Sequence, residues 1–228
     1  MYPGKWAEEH PDKAAVIHSV SGATTTYRQL DERSNQLAQL MWAKGLRPGD
    51  HVAIFMENNL RYFEVIWAAL RSGLYLTTVN QYLTDEEAGY IVDNCEAEVL
   101  IASKRLGEVA NKLKPFAPNC HTWLMVDGTV DGYEAYEDTI DSYPTENLAA
   151  EPAGLFMLYS SGTTGRPKGI LRPLPKGNIY DNPGAVGTLQ QKIWDVDESA
   201  IYLSPAPSTT RHHCPFVPVF RPTAALSL

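Results

Sequence analysis

The sequence predicts an α/β fold with a largely parallel sheet, on three observations. Short apolar runs bounded by turn residues alternate with segments of helical periodicity. Helical segments stop at glycine, at Gly45 and Gly73. One segment opens on Thr84-Asp85-Glu86-Glu87, an acceptor at the N-cap with Glu three residues on, which is a helix-start pattern.

In chain order, Thr26 to Lys44 places Leu30, Leu37, Leu40 and Met41 near helical spacing. Pro48-Gly49-Asp50 reads as a turn and His51 to Met56 as a short buried strand. Leu60 to Ser72 reads as a helix, apolar at Phe63, Ile66, Trp67 and Leu70, and Tyr75 to Val79 as the next strand. The helix opened at Thr84 runs to about Asn94. Val99 to Ala102 is a strand, Arg105 to Leu113 a helix and Thr122 to Val126 a strand. This strand–helix rhythm is that of a parallel α/β layer. Residues 127–150 are acidic with little periodicity, and read as a surface connection with a short helix around Tyr133 to Ile140. Leu155 to Tyr159 is a compact apolar strand. Trp42, Tyr62 and Trp67 sit at helical spacing and read as core, and Glu86-Glu87 as helix-start charges rather than an acid/base pair.

With 44% hydrophobic and 20% charged residues, a chain of 228 residues can bury a full core, and wholesale disorder is excluded. Its 19 basic and 27 acidic residues give a net charge of −8, which excludes a broad nucleic-acid footprint but leaves room for a local anion site. Cys95, Cys120 and Cys214 lie far apart with no CxxC pattern. With no apolar leader and no run of spanning length, they lead to the expectation of a cytoplasmic protein. His10, His18, His51 and His121 are isolated and read as structural or solvent-facing. His212-His213-Cys214 lacks a second ligand pair and reads poorly as a metal site.

Chemistry concentrates just after the last apolar strand. Ser160-Ser161-Gly162-Thr163-Thr164-Gly165-Arg166-Pro167-Lys168-Gly169 holds three glycines, four hydroxyls and two cations in ten residues. Glycine admits close backbone approach, and exposed N–H groups, hydroxyls and a lysine together suit a phosphate chain. On composition alone, a Gly/Ser/Thr-rich surface loop is an equal reading. The spacing is not that of G-x-x-x-x-G-K-[ST], since Arg166-Pro167 separates Gly165 from Lys168. Nor is it G-x-G-x-x-G, so a dinucleotide fold is disfavoured.

Tyr159 to Gly169 resembles, nearly throughout its eleven positions, the phosphate-binding signature [YF]-[TS]-S-G-T-T-G-x-P-K-G of the adenylate-forming superfamily. Thr26-Tyr27-Arg28-Gln29-Leu30, Arg47 to Ala53, and Ala68 to Gly73 followed by Val79-Asn80 are similar to its upstream segments. Within the superfamily the likeness is to acyl-CoA synthetases of the fatty-acid or aryl-acid kind. It implies part of the family's large N-terminal domain over residues 1–207, with mostly parallel sheets flanked by helices and the small C-terminal domain absent. It implies ATP, Mg²⁺ and coenzyme A as partners of a carboxylic acid: adenylation with release of pyrophosphate, then transfer of the acyl group to the thiol. Residue by residue, Ser160 matches the position whose hydroxyl reaches Mg²⁺. Thr163 and Thr164 match phosphate donors, Gly162 and Gly165 close-approach positions, and Lys168 the charge-neutralising cation. Ser161 matches within the loop but also reads as bonding only its own backbone. Arg166 stands at the variable position and reads as solvent-facing. No residue of this stretch matches a catalytic side chain of the family. A non-catalytic, nucleotide-binding remnant is the alternative.

Residues 208–228 are out of character. No acidic residue follows Glu198, and five prolines fall between Pro205 and Pro222. Ser208-Thr209-Thr210-Arg211 is compatible, one nucleotide out of register, with codons for Leu-Tyr-His-Ala, which resembles the family's next segment. The expectation is a frameshift just after Pro207.

Overall fold

The computed structural model describes residues 2–160 and 166–181, together with the backbone of 202–203 and 226–227. The chain opens with helix α1 (Pro3–Glu9), then strands β1 (Ala14–Ile17) and β2 (Thr24–Thr26). Helix α2 (Tyr27–Ala43) follows at once. Its N-cap is Thr26, whose hydroxyl accepts from the Gln29 amide at 3.2 Å while Gln29 Oε1 accepts from the Thr26 amide at 2.9 Å. Then come β3 (His51–Phe55), α3 (Arg61–Arg71), β4 (Tyr75–Thr78), α4 (Asp85–Asn94), β5 (Ala97–Ser103), α5 (Gly107–Leu113) and β6 (Thr122–Val126). The capping box expected at Thr84 and Glu87 is formed, with both reciprocal bonds in place.

A six-stranded sheet runs in the order β7-β6-β5-β3-β4-β8, where β7 is Glu134–Ala135 and β8 is Leu155–Phe156. Every neighbouring pair in it is parallel. Alternation along β3 shows why the sequence reads as continuous apolar runs. Val52 and Ile54 join the cluster beneath α2 and α3, whereas Ala53 and Phe55 join the cluster beneath α4 and α5. Successive side chains point to opposite faces, and helices cover both. In a second sheet β11 (Tyr202–Leu203) and β12 (Leu226–Ser227) run parallel to β1, which pairs antiparallel with β2.

Three expectations need correction. The acidic stretch after β6 is more than a surface connection. It forms β7 as well as the short helix expected around Tyr133 to Ile140, α6 (Tyr136–Asp141), and that helix buries Tyr136 and Ile140. Three of its carboxylates are paired: Glu134 with Lys44, Glu137 with Arg61 and Asp141 with Arg33. Trp42 is not core. It is 45% exposed, with the Arg47 guanidinium stacked 3.8 Å from its ring centroid. Met41 takes the buried position, and one residue further is a 100° step off the apolar stripe. Tyr62 and Trp67 are core as expected.

The third correction bears on function. The apolar run from Leu155 is not one strand. Leu155 and Met157 donate to the Leu74 and Leu76 carbonyls at 3.0 Å each, seating β8 on β4. The chain then leaves the sheet and forms β9 (Leu158–Ser160), paired antiparallel with β10 (Lys168–Ile170).

Candidate phosphate-loop site

The glycine-rich segment is the connection of the β9–β10 hairpin. Ser160 and Lys168 are register partners, so the structure brings these two expected site residues together at its mouth. Ser161, Gly162, Thr163, Thr164 and Gly165 lie outside the described residues. The Ser160 hydroxyl is 3.5 Å from the Lys168 carbonyl, well beyond the 2.7–2.8 Å of a strong O–H···O bond, so it is available to another partner. Lys168 is exposed, and no carboxylate among the described residues pairs with it. A hydroxyl and an ammonium at one mouth suit a phosphate chain. The hydroxyl suits Mg²⁺ as one of the few protein oxygens such an ion needs when phosphates and water complete its shell. No group of three or more His, Cys, Asp or Glu among the described residues forms a dedicated metal cage. His212, His213 and Cys214 lie outside the described residues.

Close packing fixes where the hairpin stands. Gly154, just before β8, passes so near the end of α3 that a Cβ would lie 2.5 Å from the Leu74 carbonyl oxygen and 2.9 Å from that of Ala69. Its amide donates to the Leu70 carbonyl at 2.7 Å. Gly169 faces Tyr159 across the hairpin, and a Cβ there would meet the Met157 methyl at 2.4 Å. Burial raises the Tyr159 hydroxyl well above the usual tyrosine range, so it stays a neutral donor. It donates to Asn94 Oδ1 at 2.7 Å.

Further upstream, Glu151 (6% exposed) is bonded through Oε1 to Nε of Arg71 at 2.7 Å, and Arg71 is itself 1% exposed. Glu151 also accepts from the Tyr2 hydroxyl at 2.5 Å and from Asn147 at 3.1 Å. Arg71 bonds Asp31 Oδ1 and Ser34 Oγ, each at 2.8 Å, and contacts the Tyr2 hydroxyl. This buried cluster joins α1, α2 and α3 to the segment that enters β8.

Sequence reasoning missed the part played by α4. Arg166 is exposed, as expected, yet it pairs with Glu86 at 3.7 Å and lies 4.9 Å from the Tyr90 ring centroid. The signal was present in the spacing, since Glu86, Tyr90 and Asn94 recur every four residues on one helix face.

A separate polar cleft of about 790 Å³ lies at the carboxyl ends of β3, β5 and β6, where strand order reverses. Several of its groups are already bonded, to one another or to the residues behind them. Ser103 donates to Glu57 at 2.5 Å, Asn59 to Asp127 at 2.6 Å, and Arg33 pairs with Asp141.

The family model of the AMP-binding enzymes matches residues 4–218. A fatty acid–[acyl-carrier-protein] ligase of Streptomyces coeruleorubidus is 33% identical over 165 residues, covering 72% of this chain and 31% of that protein. A 3-oxocholest-4-en-26-oate–CoA ligase of Rhodococcus rhodochrous is 31% identical over 169 residues, covering 71% and 30%. The chain therefore spans about a third of the length of these curated relatives. In fold it is similar to the N-terminal domain of FACL13 from Mycobacterium tuberculosis, with a TM-score of 0.82, 20% identity, and coverage of 99% of this chain and 55% of that one. It is similar also to an anthranilate CoA ligase in complex with anthranoyl-AMP, with a TM-score of 0.79, 22% identity, and coverage of 99% and 44%. With its helix-flanked parallel sheet and the signature at the hairpin mouth, the chain belongs to the AMP-binding enzyme family.

Proposed function

We propose that this chain carries the triphosphate-binding part of an enzyme that activates a fatty or aryl carboxylic acid as its acyl-adenylate and passes the acyl group to coenzyme A. The observation that carries the reading is the β9–β10 hairpin, which sets Ser160 opposite Lys168 at the mouth of an eleven-residue phosphate signature.

A carboxylate is a poor acyl donor because its leaving group would be oxide. One of its oxygens attacks the α-phosphorus of ATP, forming the acyl–phosphate bond as the α–β bridging P–O bond breaks and pyrophosphate departs. The thiol sulfur then attacks the acyl carbon, its proton passes to a base, and AMP leaves with the bonding electrons. The first step needs charge held on the departing phosphates more than it needs a protein nucleophile. Lys168 supplies a fixed positive charge and Ser160 a hydroxyl beside it. By the likeness of the signature, Ser161, Thr163 and Thr164 would add hydroxyls, and Gly162 and Gly165 would allow close backbone approach to the phosphates. Mg²⁺, when bound, neutralises phosphate charge, and Ser160 is the residue that would help hold it.

The test is ATP–pyrophosphate exchange with a panel of fatty and aryl acids, run beside equilibrium binding of MgATP. Exchange that depends on the acid and disappears in Lys168→Ala would support the enzyme reading for this chain. One charge-assisted hydrogen bond of about 1.5–3 kcal/mol corresponds to MgATP binding weakened about 10- to 150-fold in that variant. ATP hydrolysis indifferent to the acid would overturn the reading. MgATP binding without exchange would favour the nucleotide-binding remnant.

A further inference from the structure

We infer that the partly exposed stripe Glu86–Tyr90–Asn94 of α4 is a positioning ledge that sets the pose of the phosphate loop, with Tyr90 and Arg166 as its central pair. The inference rests on the reading of that loop as the triphosphate site. Both arms of the loop are tied to this one helix face. On the entering arm, the Tyr159 hydroxyl donates to Asn94 Oδ1 at 2.7 Å. On the leaving arm, the Tyr90 hydroxyl donates to the Pro167 carbonyl at 3.3 Å. The Arg166 guanidinium lies 4.9 Å from the Tyr90 ring centroid and 3.7 Å from Glu86 Oε1.

Residues four apart on a helix stand one above another, so these three side chains form a single rail along the hairpin. The opposite face of α4 is committed to the core, with Ala88, Gly89, Ile91 and Val92 buried. Gly89 packs so closely that a Cβ would lie 2.5 Å from the Phe116 Cβ. The rail is therefore a fixed surface rather than a mobile one. Among the described residues it meets the hairpin at Tyr159 before Ser160 and at Arg166-Pro167 before Lys168. Ser160 and Lys168 are thus each one residue from a contact with α4. A shift of the rail moves both, together with the spacing between them that a phosphate chain must fit. Arg166 is held by its carboxylate and ring against the helix, which makes it a brace. Glu86 thereby acquires a role beyond complementing the helix dipole.

The Tyr90 ring also packs against the core beneath α4, whereas Glu86 and Arg166 are both about two-thirds exposed and their pair contributes little to global stability. That separates positioning from folding in an experiment on the full 228-residue chain. Tyr90→Phe, Tyr90→Ala, Arg166→Ala and the Tyr90→Ala/Arg166→Ala pair are compared by three measurements. These are binding of MgATP and of AMP, the denaturant midpoint, and amide hydrogen exchange across residues 158–170. Loss of one exposed cation–π contact and one long hydrogen bond is expected to weaken MgATP binding about threefold to tenfold in Tyr90→Ala. AMP, which lacks the β- and γ-phosphates, is expected to bind as before; the denaturant midpoint is expected to stay unchanged in Arg166→Ala and Tyr90→Phe and to fall modestly in Tyr90→Ala, whose ring packs on the core. Tyr90→Phe keeps the ring and should recover most of the loss. The double variant should be no worse than the poorer single one, since both remove the same brace. Faster exchange at the β9–β10 amides in Tyr90→Ala is expected whether or not nucleotide binds. Unchanged exchange, additive losses or equal weakening of AMP would overturn the ledge. Absence of MgATP binding in the unsubstituted chain, with the exchange effect present, would overturn the triphosphate reading and leave the ledge standing as a structural brace.

Discussion

Arg71→Met is the substitution with the largest expected consequence. All five N–H groups of the guanidinium are engaged: Nε with Glu151, one terminal nitrogen with Ser34 Oγ and the Asp31 carbonyl, and the other with Asp31 Oδ1 and the Tyr2 hydroxyl. Methionine fills much of the aliphatic space and makes none of these bonds. Glu151, 6% exposed, then keeps a buried charge with only the Tyr2 and Asn147 donors, while Asp31, 18% exposed, keeps some access to water. Breaking a buried pair from one side destabilises by about 3–5 kcal/mol, and the partial exposure of Asp31 places this case toward the lower end. With a urea dependence of about 2–3 kcal/mol per molar, the midpoint should fall by about 1–2 M at an unchanged slope. The assay is urea unfolding followed by far-ultraviolet circular dichroism. The Arg71→Met/Glu151→Gln double variant tests the cause, because it removes the stranded charge as well and should recover a measurable part of the loss. A midpoint within about 0.2 M of the unsubstituted chain, or a double variant no more stable than Arg71→Met, would refute the assignment of the loss to an uncompensated Glu151.

Gly154→Ala should destabilise by about 1–3 kcal/mol and weaken MgATP binding, because its methyl group meets the Leu74 carbonyl at 2.5 Å and must push β8 off β4; titration and urea unfolding read both effects. His51 is held below the ordinary histidine range by burial, against weaker opposing charges from Glu96 and Asp50, and its buried Nδ1 makes no hydrogen bond in the structure. A depressed native value means that its contribution is present above about pH 6.5 and is lost as pH falls through that lower value. The urea midpoint should therefore drop less between pH 8 and pH 5 in His51→Phe, which keeps the stack on Tyr75, than in the unsubstituted chain. Burial pushes the Cys95 thiol up to about 11 and the Cys120 thiol up to about 12, so mass spectrometry after alkylation at pH 7.5 should find both unmodified until denaturant is added. Sequencing the gene across codon 207 should show the extra nucleotide that brings the reading frame back to the family pattern. A confirmed frame would refute the frameshift.

The central strands β3 to β6 were legible because they are largely buried on both faces, and the helices between them carry their own start and stop signals at Thr84, Gly45 and Gly73; edge strand β7, two residues long and partly exposed, was not. The hairpin of β1 and β2 was not. Its strands are four and three residues long, Thr24-Thr25-Thr26 has no apolar alternation, and β1 pairs with Leu226–Ser227, some two hundred positions away. The break at Met157 was invisible for the opposite reason: the run from Leu155 to Tyr159 is apolar throughout, although its first half belongs to the sheet and its second to a hairpin. The phosphate signature was legible as a string of residue types. Its supports were not, because the contacts that hold it to α3 and α4, Glu151 with Arg71, Tyr159 with Asn94, Pro167 with Tyr90 and Arg166 with Glu86, join residues more than sixty positions apart.

Those supports fall into two kinds, and the distinction follows from burial alone. Before β8, Glu151 is clamped by a guanidinium shut away from water, and Gly154 is pressed against the backbone at the end of α3. A defect there strands a charge or forces atoms to overlap, so it is felt by the whole fold. Beyond β8, the hairpin leans on α4 through Asn94, Tyr90 and Glu86, contacts that are half-exposed or exposed and individually weak. A defect there leaves the core intact and moves only the loop. The chain thus holds its candidate site by a buried anchor on the side of α2 and α3 and a weaker, partly exposed rail on the side of α4. Variation that alters nucleotide affinity without loss of stability should map to residues 86, 90, 94 and 166 rather than to the anchor.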